Sequence, residues 1–140
     1  MKNAFLEMEK DLIADEGIKL RLYKDTFGNL TIGVGRNLDA RGITTDEAMY
    51  LLRGDITVAF SELHRKANWW KDIPREAQRG LLNMCFNLGW PRLKKFKKML
   101  AALQAHDYQN AADEARNSLW YNQVGSRAER IARRFEGCVK

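Results

Sequence analysis

The strongest constraint on the fold is a change of hydrophobic period near the start of an otherwise helical sequence. Over residues 18–35 the apolar residues alternate, with Leu20 and Leu22 on one run and Leu30, Ile32 and Val34 on the next. Turn-forming residues, Asp25-Thr26-Phe27-Gly28-Asn29, separate the runs, so the segment predicts a β-hairpin within a small sheet. On the returning strand Leu30, Ile32 and Val34 are expected to face the core, leaving Thr31, Gly33 and Gly35 on the other side. That second face would be nearly bare. Two glycines beside a hydroxyl leave room for a bulky ligand to approach the backbone, or mark a bulge.

Helical signals flank the hairpin. Phe5, Met8, Leu12 and Ile13 lie near helical spacing over residues 3–16, and Gly17 supplies a left-handed cap. Thr44-Thr45-Asp46-Glu47 reads as a capping box opening a helix whose Ala48, Leu51, Leu52, Ile56, Ala59, Phe60 and Leu63 keep one apolar face. Gly54 is expected to weaken it midway. A single helix over residues 44–66 would run ~34 Å at 1.5 Å per residue, long enough to join two lobes. After Pro74 the chain reads as helical almost to its end, with breaks at Gly89-Trp90-Pro91, His106-Asp107 and Val124-Gly125-Ser126. The fold class is α+β, mainly α. With 140 residues, two prolines, no repeat and no low-complexity segment, one domain is expected.

Several function classes recede on composition. No apolar run approaches the ~18–20 residues of a membrane span, and the first ten residues lack a secretory pattern, so synthesis in the cytoplasm is expected. The cysteines, Cys85 and Cys138, and the histidines, His64 and His106, have no zinc-site spacing, which counts against a zinc amidase. Neither a metal nor a cofactor is expected. Cys85 sits in an apolar stretch and reads as a buried, inert thiol. A net charge of +6 suits any polyanion, whether nucleic acid, anionic membrane or a wall bearing carboxylates. Arg92, Lys94, Lys95, Lys97 and Lys98 interleave with Leu93, Phe96, Met99, Leu100 and Leu103 in the pattern of a basic amphipathic helix. Residues 92–103 could therefore touch an anionic membrane weakly, or present lysines to solvent over a core-facing stripe. No base-reading motif is visible, and no nucleic-acid partner is expected.

Glu16 shares a helical face with Leu12 and Ile13, so it reads as an inward-pointing carboxyl at the end of the first helix or, taken alone, as a solvated end residue. There the macrodipole disfavours negative charge, as suits a general acid. Asp25 opens the hairpin turn and Thr31 lies on the returning strand.

Asp15-Glu16-Gly17, Tyr23-Lys24-Asp25-Thr26-x-Gly28 and Thr31-Ile32-Gly33-Val34-Gly35 together resemble the phage-type lysozymes, glycoside hydrolase family 24. The resemblance continues through Ile43-Thr44-x-Asp46-Glu47-Ala48, Asn83-Met84-x-Phe86-x-x-Gly89 and Trp120-Tyr121-Asn122-Gln123-x-x-x-Arg127-Ala128-x-Arg130, covering roughly residues 5–135. It implies a lysozyme-like arrangement within one domain. A β-containing lobe over about residues 14–43 and a connecting helix over about 44–66 would precede a helical lobe over about 67–140, with the first helix packed on that lobe and a glycan cleft between lobes. It implies Glu16, Asp25 and Thr31 as catalytic residues. Arg127 would pair with the catalytic glutamate, lowering its pKa against burial and the helix end; Phe86 and Asn87 would lie near the cleft, and Asn37 would contact sugar.

The implied substrate is the peptidoglycan glycan strand, cleaved by a monomer with inversion at the anomeric carbon. The implied setting is host lysis, with the protein made in the host cytoplasm and reaching the wall through a phage holin. Arg36 departs from the family pattern, replacing a titratable histidine with a fixed charge. The short segment over residues 36–44 suggests fewer sugar subsites than in the largest relatives. Competing readings are a lytic transglycosylase, a cationic membrane-disrupting module and a helical nucleic-acid binder.

Overall fold

The computed structural model describes residues 2–140. The chain divides into two compact units, Met1–Tyr50 and Leu51–Lys140.

The first unit opens with helix α1 (Lys2–Glu16), which Gly17 terminates in a left-handed conformation, φ +72°, its N–H donating to Ile13 O at 2.8 Å. Strands β1 (Lys19–Lys24), β2 (Leu30–Gly33) and β3 (Arg36–Asn37) form an antiparallel sheet in that order. Tyr23 pairs with Thr31 and Lys24 with Leu30, but Lys19 pairs with Gly33, so a bulge in β1 takes up the extra residues. Asn37 then caps the short helix α2 (Leu38–Arg41) by accepting the Ala40 N–H at 3.0 Å.

Helix α3 (Thr45–Lys66) begins as the capping box predicts, with Glu47 N–H donating to Thr44 Oγ1 at 3.1 Å and Thr44 N–H donating to Glu47 Oε1 at 2.8 Å. It runs through Gly54 unbroken, so the helix-weakening glycine is outweighed by the turns on either side of it.

The second unit is helical. A 3₁₀ turn (Asn68–Asp72) leads to α4 (Arg75–Leu88), α5 (Trp90–Leu93), α6 (Lys97–Gln104), α7 (Tyr108–Arg116), α8 (Leu119–Val124) and α9 (Ser126–Glu136). The predicted breaks at Gly89, His106 and Gly125 are present. A further one divides residues 92–103: the chain leaves α5 after Leu93 and resumes as α6 at Lys97, so the basic stretch is not one amphipathic helix. The sequence pattern misled because Leu93 and Met99 are both core residues, which keeps the apolar spacing helical across a turn that is not. Ser118 also starts α8 at an unpredicted point by accepting the Tyr121 N–H.

This unit holds the hydrophobic core. Leu63, Leu81, Met84, Leu93, Met99, Leu103, Ile131 and Phe135 are almost wholly withdrawn from water. Helix α9 contributes Ala128, Ile131, Ala132 and Phe135, the i, i+3, i+4, i+7 face of an amphipathic helix. Its approach to α4 depends on Gly80, where a Cβ would come within 2.9 Å of Phe135 Cε1. Cys85 is buried as expected, and burial pushes its thiol up to about 11, so it stays protonated at neutral pH. Cys85 and Cys138 are both free.

Candidate active site

The hairpin turn is built around one carboxylate. Asp25 Oδ1 accepts the Phe27 N–H at 2.9 Å and the Asn29 N–H at 2.8 Å, while Oδ2 accepts Asn29 Nδ2 at 3.1 Å. Backbone bonds close the same turn, from Asp25 N–H to Asn29 O and from Gly28 N–H to Asp25 O, both at 3.0 Å. Gly28 supplies the left-handed residue such a tight reversal requires, at φ +83°. The donors favour the ionised form of the carboxyl. The Asn29 N–H above all holds Asp25 below its ordinary range, against a smaller opposing effect of desolvation.

Thr31 is the buried residue of this unit among the described residues, at 2% exposure, and its hydroxyl donates to Asn29 O at 2.8 Å. The expected facing of β2 is not kept at its first two residues, since Leu30 remains 40% exposed while Thr31 is enclosed, and Ile32 and Gly33 are both half-buried. The cause is topological. Thr31 sits in the middle strand with Tyr23 paired on one side and Asn37 on the other, and its one polar group is satisfied locally.

Glu16 ends α1 as expected, but its side chain is exposed rather than turned inward, and Leu12 and Ile13 are themselves 45% and 41% exposed. The carboxyl keeps access to water and lies over Gly35. A Cβ at position 35 would stand 3.0 Å from Glu16 Cδ and Oε2 and 3.2 Å from Cγ. Gly35 also has φ +67°, so both the backbone and the space call for glycine there.

Arg36, next in sequence, turns to α3. Its guanidinium donates to Glu47 Oε1 at 2.9 Å, to Glu47 Oε2 at 2.5 Å and to Gly42 O at 3.0 Å. Arg36 holds the Glu47 carboxyl down to about 2, and the Glu47 hydrogen bond raises Arg36 further above its already high value. Sequence reading singled out Arg36 for its departure from the family pattern. Its partner Glu47 was visible only as a helix cap.

Of the other residues expected to meet sugar, Asn37 spends its side-chain oxygen on capping α2. In the second unit, Asn87 Oδ1 accepts from Trp120 Nε1 at 3.1 Å, fixing the indole of a buried tryptophan. Arg127 Nε donates to Asn83 Oδ1 at 2.8 Å. Arg127, Asn83 and the half-exposed Phe86 line a hollow of about 350 Å³ with Leu52, Ile56, Arg79 and Leu82. An arginine beside an exposed aromatic ring and an amide can offer both a stacking face and polar donors to a sugar. The structure thus brings Asp25, Asn29 and Thr31 together, sets Glu16 over Gly35, and joins Phe86 and Arg127 at one hollow. Asn29 was missed by sequence reading, although an asparagine four residues after a turn-opening aspartate is a signal that could have found it.

A small carboxylate-bearing sheet followed by a mainly helical unit, with an acidic residue closing the first helix, defines a lysozyme-like protein. The chain belongs to the phage lysozyme family, whose model matches residues 14–136. Among its relatives, the pre-baseplate central spike protein Gp5 of Enterobacteria phage T4 is 31% identical over 157 aligned positions, taking in 92% of this chain but 27% of the spike protein. Probable T4-type lysozyme 2 of Dictyostelium discoideum is 29% identical over 158 positions, covering 91% of this chain and 92% of that protein. Peptidoglycan hydrolase gp36 of Pseudomonas phage phiKMV is 25% identical over 141 positions, which cover 96% of this chain and 16% of the phage protein. The chain thus spans nearly the whole of one relative and a minor part of two others.

Proposed function

We propose that this protein hydrolyses the β-1,4 bond between N-acetylmuramic acid and N-acetylglucosamine in bacterial peptidoglycan, with inversion at the anomeric carbon. The observation that carries the reading is the Asp25 turn, an ionised carboxylate fixed by three donors in a chain of the phage lysozyme family. Glu16, free of inward packing and next to the bare backbone of Gly35, donates its proton to the leaving glycosidic oxygen. Asp25 takes a proton from the attacking water, whose oxygen bonds to the anomeric carbon as the glycosidic C–O bond breaks. Thr31, buried and already donating to Asn29, is assigned to holding the Asp25 turn rather than to touching that water. Phe86 and Arg127 offer a sugar-binding hollow, while Asn37 and Asn87 act through the backbone cap and the Trp120 indole that they secure. Wall degradation during phage release is the setting this chemistry suits.

The test is digestion of purified peptidoglycan by the protein and by Glu16→Gln, with mass spectrometry of the products. Hydrolysis gives reducing ends, and Glu16→Gln lowers the rate by about 10²- to 10⁴-fold with the thermal transition unchanged. Anhydro products would replace hydrolysis by transglycosylation, and undiminished activity of the variant would remove Glu16 from the chemistry.

A further inference from the structure

Turns often use asparagine for their backbone, because this residue tolerates the left-handed conformation. Position 29 is not such a place. Gly28 takes the left-handed role at φ +83°, and His106 is the one non-glycine with positive φ among the described residues. The residue type at 29 therefore answers to its side chain. Asn29 Nδ2 donates to Asp25 Oδ2 at 3.1 Å, complementing its own N–H on Oδ1 at 2.8 Å. The Asn29 carbonyl accepts both the Asp25 N–H at 3.0 Å and the Thr31 hydroxyl at 2.8 Å. Both carboxylate oxygens and the threonine hydroxyl converge on one residue.

We infer that Asn29 is a positioning residue for the hydrolysis proposed above, its amide fixing the plane of the Asp25 carboxylate so that a free lone pair is held toward the attacking water. The inference rests on the reading of Asp25 as the group that accepts the water proton. Backbone N–H groups reach only Oδ1, so they resist rotation about the Cβ–Cγ bond from one side of the carboxylate alone. The Asn29 amide ties the second oxygen, so any rotation about Cβ–Cγ strains bonds at both. Each carboxylate oxygen offers two lone pairs, so Oδ2 keeps one after accepting from Nδ2. The proton passes to an oxygen whose direction the amide has set. Charge-assisted donation also favours the ionised carboxylate, in keeping with its lowered pKa.

Asn29→Ala removes the amide, and Asn29→Asp keeps its shape while replacing the donor with a second carboxylate. Both variants retain the residue 29 backbone N–H and carbonyl, so the turn itself persists and circular dichroism should match the parent. Two measurements are made on each: kcat and KM against pH on soluble peptidoglycan fragments, and the titration of the Asp25 carboxyl carbon by NMR. For Asn29→Ala, kcat falls about tenfold with KM nearly unchanged, as expected when a proton acceptor loses its orientation. For Asn29→Asp, the Asp25 titration and the acid limb of kcat both move up by about one pH unit, because like charges oppose ionisation. Unchanged kcat and an unmoved Asp25 titration in both variants would overturn the inference. Full activity of Asp25→Asn would instead remove the catalytic reading on which it depends, whatever the Asn29 variants do to the titration.

Discussion

The two units of this chain are held together by different physics. Every buried apolar residue identified lies in Leu51–Lys140, where leucines, methionines, alanines and Phe135 fill the spaces between helices. In Met1–Tyr50 the enclosed residue among those described is a threonine, and order comes from directed polar contacts: the Asp25 turn, the Asn37 cap and the Arg36 to Glu47 bridge. Packing is tolerant of sequence but sensitive to volume, whereas a hydrogen-bonded turn is sensitive to the identity of single donors and acceptors. The proposed acid and base both belong to the region organised by direction rather than by bulk.

Three substitutions or conditions would break or sharpen that contrast. The largest expected effect on stability is Phe135→Ala, which empties the contact between α9 and Gly80 and should cost about 3–5 kcal/mol by denaturant unfolding. A loss under about 1 kcal/mol would mean that the helical unit is not organised by packing. Gly35→Ala comes next. It forces a Cβ into a left-handed backbone and against the Glu16 carboxyl, so a loss of about 1–2 kcal/mol should accompany a larger fall in hydrolysis than in stability. Activity at parental level in this variant would separate Gly35 from the acid.

The smallest effect is on acid stability. Glu47 and Glu129 are both held down to about 2 from an ordinary value of 4.5, Glu47 chiefly by Arg36 and Glu129 chiefly by Arg116. Because the folded pKa is depressed, this stabilisation is fully present above about pH 4.5 and is lost as pH falls toward 2. Unfolding midpoints measured between pH 6 and pH 2 should decline over that window, and Glu47→Gln and Glu129→Gln should each flatten the decline. A midpoint constant down to pH 2.5 would show that these half-buried pairs contribute nothing measurable.

Periodicity made much of this architecture legible. The alternation around Leu20, Leu22, Leu30 and Ile32 marks the hairpin, and the Thr44 to Glu47 capping box marks the start of α3 because both its partners lie three residues apart in the chain. What remained hidden depends on contacts no local pattern encodes. The break between Leu93 and Lys97 is concealed by core residues that keep helical spacing on both sides of it. Thr31 is enclosed because β3 exists, and a strand of two residues, Arg36–Asn37, is too short to leave an alternation. For the candidate site, Asp25 was visible as the residue that opens a turn. The side-chain amide of Asn29 was not, because asparagine in a turn is so readily explained by its backbone.

The bridge from Arg36 to Glu47 fastens the last strand of the sheet to the start of the long helix with two groups that do not respond to base. A histidine in place of Arg36 would let go of the glutamate once it lost its proton near neutrality. Arginine keeps its charge through the whole alkaline range, so this fastening stays closed in mildly basic surroundings where a histidine would already have released the helix.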